Sequence, residues 1–101
     1  MGNPSDFYNN VIEIKKGKLL DRNVFLRRLV DSLYVRNDIE LNRGNFRVKG
    51  DTVDIYLAYS DNLLRVMFWD DEIDAIEEID LFRESVWQLL MNTKFIRPIF
   101  L

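Results

Sequence analysis

Apolar and polar residues recur with two different periods along this chain, and the switch between them outlines a fold. From Asp21 to Tyr34, Leu26, Leu29, Val30 and Leu33 fall at i, i+3, i+4 and i+7, with Arg22, Arg27, Arg28, Asp31 and Ser32 elsewhere. That spacing predicts a long amphipathic helix capped by Asp21, with a stripe that a sheet must cover. Ahead of it, Asn3-Pro4-Ser5-Asp6 has the form of a helix start, so a shorter N-terminal helix is expected through about Val11. Val11 to Leu20, with Lys15, Lys16, Gly17 and Lys18 at its centre, reads as a hairpin-like connection.

From Asn45 to Ile73 the period drops to two, with Phe46 and Val48 alternating against Arg47 and Lys49. Gly50-Asp51 suits a two-residue turn with glycine first. This turn sets Val48 against Val53, Phe46 against Ile55 and Arg47 against Asp54, so apolar meets apolar and cation meets carboxylate on both strands. A turn near Ser60-Asp61 would set Leu57 against Leu64 and Ile55 against Val66. A third at Asp70-Asp71 would set Phe68 against Ile73, with a bulge or strand end near Ile76, where the alternation breaks. Phe82, Val86, Leu89 and Leu90 behind Asp80 have helical spacing and predict a helical tail before Arg97-Pro98. The expected class is α+β: an antiparallel sheet of about four strands packed against the long helix, with the shorter N-terminal helix and a C-terminal helical tail.

Composition narrows what such a domain can do. With 101 residues, 48% hydrophobic and 31% charged, the chain suits one folded unit with a core of its own. It has no Cys and no His, which removes thiol nucleophiles, imidazole acid–base chemistry and the commonest zinc ligands together. No nucleotide-binding GxxxxGK[ST] loop and no G-x-S-x-G elbow is present. An enzyme is therefore not expected, nor a cofactor. Asp70, Asp71, Glu72 and Asp74 lack the spacing of a calcium loop, so no metal is assigned to them. The formal net charge of −3 opposes condensation on nucleic acid or an acidic membrane. No 18-residue apolar run and no signal peptide are evident, so the chain reads as cytoplasmic.

Chemistry concentrates on one predicted sheet face, which carries Arg47, Lys49, Asp54, Tyr56, Arg65, Met67 and Trp69. Arg, Tyr, Trp and Met are enriched at protein interfaces, although the same face also fits a solvated surface with an Arg47–Asp54 pair worth little. Lys15, Lys16 and Lys18 are unremarkable for a connecting loop.

The runs FLRRLVDSLYVRNDIELNRGNFRVKGDTVDIYLA and LLRVMFWDDEIDAIEEID, after Asn3-Pro4-Ser5-Asp6-Phe7-Tyr8, resemble the second domain of the UvrB family. UvrB is the B subunit of the bacterial excinuclease of nucleotide excision repair. The resemblance covers about residues 2–80, which makes 1–80 the family-like domain and 81–101 a divergent tail expected to pack on it. It implies a docking domain that binds UvrA and meets DNA only through the UvrA–UvrB complex. By position the family's contact residues fall on Arg36, Arg47, Lys49 and Arg65, with Asp54 holding Arg47 and Met67 standing where the family has Glu. Lys49 replaces a family Arg, keeping charge but losing the planar fork. Direct nucleic-acid binding by the same cations and the related domain of a transcription-repair coupling factor are the alternatives.

Overall fold

The computed structural model describes residues 11–58, 61–83 and 85–96. In chain order the elements are β1 (Val11–Lys15), α1 (Arg22–Asp31), β2 (Val35–Arg36), β3 (Asn45–Lys49), β4 (Thr52–Tyr56), β5 (Asn62–Trp69), β6 (Glu72–Asp80), β7 (Ser85–Leu90) and β8 (Asn92–Ile96). β2 to β7 form one six-stranded sheet in sequence order, and β1 pairs with β8. Every neighbouring pair is antiparallel except β2 with β3, which is parallel.

This architecture corrects the expected class in three places: the sheet has six strands and is mixed, the helix is short, and the tail is not helical. The expected N-terminal helix lies outside the described residues apart from Val11, which begins β1. α1 starts as predicted, with the Asp21 carboxylate accepting from the Asn23 N–H at 2.7 Å. It ends at Asp31 because Leu33 turns left-handed (φ 72°), so the chain closes with Tyr34 N–H to Leu29 O at 2.9 Å and Leu33 N–H to Val30 O at 3.0 Å. Those two bonds are a Schellman cap, here with Leu where Gly is usual. The buried face of α1 is Phe25 and Leu29 with Leu26 packed beside them, while Val30 and Leu33 are about half exposed. Phe25 meets Phe68 of β5 with ring centroids 5.7 Å apart.

The tail forms β7 and β8, and the cause of its helical spacing is a bulge. β6 and β7 pair Glu78 with Gln88 and then Ile79 with Val86, skipping position 87. The skip puts Val86 and Leu89 on one face of a strand at i and i+3, as a helix would, while Leu90 packs inward on the core. Asp74 plays the same part in β6. Phe68 pairs with Ile73 and Met67 with Ala75, so Ile73 and Ile76 both point inward and both are buried.

The β3–β4 register is the predicted one: Phe46 with Ile55, Arg47 with Asp54, Val48 with Val53. Gly50 alone in that turn has positive φ (60°), which suits glycine in the first central position of a type II′ turn. β4 and β5 differ from expectation by two residues, pairing Ile55 with Leu64 and Val53 with Val66. A shift of two preserves which face each residue occupies but changes every partner. Between the inner face of the large sheet, α1 and β1 lies an apolar cluster that includes Ile12, Ile14, Phe25, Leu29, Phe46, Ile55, Val66 and Phe68.

A buried carboxylate gripping two arginines on the outer sheet face

On the outer face of β3, β4 and β5, Arg47, Asp54 and Arg65 stand side by side in register. The Asp54 side chain is only 3% exposed, and it accepts from Arg47 Nε at 2.9 Å and Arg65 Nε at 2.8 Å, one oxygen to each. Arg65 Nη2 adds a longer contact at 3.5 Å. Each arginine thus turns its Nε edge inward. The carboxylate is compensated on both sides, as a buried charge must be. The Asp54 hydrogen bond, with a smaller contribution from nearby Glu77, holds the Arg65 guanidinium protonated even more firmly than usual.

Lys49 and Thr52 pair in the adjacent row, and with Arg47, Asp54 and Arg65 they line a cleft of about 310 Å³. Three cations against one carboxylate leave the cleft net positive by two charges. Lys49 and the remaining guanidinium N–H groups of Arg47 have no partner among the described residues, so they stay available to acceptors from outside.

The structure brings Arg47, Lys49, Asp54 and Arg65 together and sets Met67 beside them, half-buried, opposite Thr52 and Ala75. Arg36 is apart from this row. It lies in edge strand β2 in register with Phe46, and its guanidinium pairs with Asp38, Nη2 to Oδ2 at 3.0 Å. Asp38 in turn accepts the Val48 N–H at 3.1 Å, which ties the Arg36 loop to β3 between Arg47 and Lys49. Trp69 is exposed at the end of β5, and Tyr56 is half-buried on β4. Among the described residues no three carboxylates converge to hold a metal ion, and no helix is long and apolar enough to cross a membrane.

Sequence reasoning missed the Arg65–Asp54 bond and the place of Thr52 and Glu77. The signal was available in the alternation, since all three share the face of Asp54. Their partners depended on the β4–β5 register.

The UvrB interaction domain family matches residues 12–97, from β1 into the last residues of the chain. The chain belongs to the UvrB interaction domain family. It is 86% identical over 80 residues to UvrABC system protein B of Bacteroides fragilis strain YCH46, an alignment covering 79% of this chain and 12% of that protein. Proteins of the same name from Syntrophotalea carbinolica and Staphylococcus aureus strain N315 are 47% identical over 94 residues and 46% over 87. Those alignments cover 92% and 85% of this chain but 14% and 13% of the relatives, so the chain spans about one-eighth of their length. The family match runs through β7 and the whole of β8.

Proposed function

We propose that this chain is a non-catalytic docking domain that binds UvrA and so serves bacterial nucleotide excision repair in the cytoplasm. The observation that supports the reading most is the Asp54 grip. A buried carboxylate holds two arginines by their inner edges and leaves a net positive cleft on a sheet face, in a chain whose family is an interaction domain.

The physical logic is electrostatic. Carboxylates on the partner are steered toward Arg47, Lys49 and Arg65, and on arrival accept charge-assisted hydrogen bonds from donors already oriented. Pre-orientation lowers the cost of ordering two long side chains at the interface. A footprint on the order of 800 Å² per partner fits a face of this size. DNA is engaged through the UvrA–UvrB complex and not by this domain.

A titration of purified UvrA and, separately, of duplex DNA with this chain at low and moderate salt tests the reading. Salt-sensitive binding to UvrA with weak binding to DNA is expected. Tight DNA binding with no UvrA complex would replace it with the nucleic-acid alternative.

A further inference from the structure

The outer sheet face holds two rows of opposite character, and the second row has no place in a purely cationic footprint. The charged row runs Arg47, Asp54, Arg65, Glu77 from β3 to β6 and ends on Leu89 of β7. Two residues along the strands, a second row runs Tyr56, Leu63, Ile79, Val86. Leu63 and Ile79 are buried although they lie on the face away from the main core. Val86 and Leu89 are 49% and 72% exposed. Scattered exposed apolar residues are ordinary, but these two share one face of β7: Val86 continues the buried apolar row, and Leu89 ends the charged row, one strand beyond Glu77 and two from the Arg65 that lines the cationic cleft. The bulge at position 87 is what brings them onto one face.

We infer, resting on the docking reading above, that the partner contact runs past the cations onto Val86 and Leu89, which seat an apolar side chain of the same acidic partner protein. Strands are spaced by about 4.8 Å, so Leu89 stands two strands, or roughly 10 Å, from Arg65. The partner segment that fits presents carboxylates over β3 to β5 and an apolar residue about that distance beyond. The division of labour follows from the physics. Charges at the rim set the association rate and salt dependence, whereas an apolar anchor removed from water contributes affinity that salt does not screen.

The test is a titration of UvrA with the unmodified chain, Leu89→Asp, Leu89→Ala and Arg65→Ala, each at two salt concentrations. Leu89→Asp is expected to weaken binding at least about tenfold, and Leu89→Ala severalfold with the salt dependence unchanged. Arg65→Ala is expected to weaken binding and flatten the salt dependence. Circular dichroism checks the fold, and should Leu89→Asp misfold, the milder Leu89→Ala decides. Undiminished binding by the Leu89 variants alongside a weakened Arg65→Ala would overturn this inference and leave the docking reading standing. No binding by the unmodified chain would overturn both. Sedimentation showing a dimer that Leu89→Asp dissolves would assign the strip to a second copy of the chain and overturn the inference.

Discussion

Removing the Asp54 carboxylate should cost more stability than removing any other charge on the outer face. The change to test is Asp54→Ala, with Asp54→Asn as the near-isosteric companion. In the folded chain the carboxylate is 3% exposed and accepts from both Arg47 and Arg65. Hydrogen bonds to charged groups contribute about 1.5–3 kcal/mol each, and breaking one side of a fully buried pair costs about 3–5 kcal/mol. Here each arginine side chain is 34% exposed, so water can rehydrate the guanidinium groups once the carboxylate is gone. The expected loss is therefore about 2–4 kcal/mol for Asp54→Ala, and about 1–2 kcal/mol for Asp54→Asn, which keeps the oxygen acceptor but not the charge. For a domain of this size each kcal/mol lowers the melting temperature by about 4–8 °C. Urea unfolding with unchanged slope gives the free energies directly. A double-mutant cycle of Asp54→Ala with Arg65→Ala should show a coupling of at least about 0.5 kcal/mol. An Asp54→Ala protein within about 0.3 kcal/mol of the parent would refute the idea that this carboxylate holds the face together.

Other consequences can be checked in the same melts. Leu29→Ala, at a fully buried site on α1, should cost about 2–5 kcal/mol, while Val30→Asp at its half-exposed neighbour should cost far less; a Val30→Asp loss as large as that of Leu29→Ala would contradict this assignment of the buried face. Leu33→Gly should raise the melting point, because Leu33 holds φ 72° at the helix cap at a cost of about 1 kcal/mol and glycine does not; a lower melting point would show that its half-buried side chain contributes more than the strain costs. The Arg36 guanidinium, then the Val48 N–H, hold the Asp38 carboxyl below its ordinary value near 3.8. A depressed folded value means stabilisation that is present above the unfolded value and lost as pH falls through the folded one. Asp38→Asn should therefore flatten the fall in stability below about pH 4, and identical acid limbs would contradict this.

How much was legible divides along physical lines. The β3–β4 hairpin was readable because Gly50 pins a turn and the alternation then checks itself, apolar against apolar and Arg47 against Asp54. β5 was placed on the right face with the wrong partners, since slipping a register by two leaves the apolar pattern intact. That slip hid the Arg65–Asp54 bond and made Arg47–Asp54 look like an exposed pair of little worth. Asp54 is in fact closed in by arginines from both neighbouring strands. The tail failed for a different reason. A bulge inserts one residue into a strand and turns the i, i+2 spacing into i, i+3, which at Val86 and Leu89 imitates a helix. The length of α1 failed because a left-handed Leu33 ends it, and nothing in a leucine announces that conformation.

The central claim is that the face built around Asp54 docks UvrA, and charge reversal on that face tests it most directly. Immobilised UvrA is titrated with the parent chain, Arg47→Glu, Arg65→Glu and, as a control in an exposed turn that does not line the cationic cleft, Lys16→Glu. Arg47→Glu brings a carboxylate toward the buried Asp54, so a stability loss of about 1–3 kcal/mol is expected, more than an exposed pair would show, and Arg47→Ala serves should that variant unfold. Among folded variants, Arg47→Glu and Arg65→Glu are expected to lose about 2–5 kcal/mol of binding, with Lys16→Glu close to the parent. Undiminished binding by both arginine variants, or an equal loss by Lys16→Glu, would contradict the assignment of this face as the docking surface.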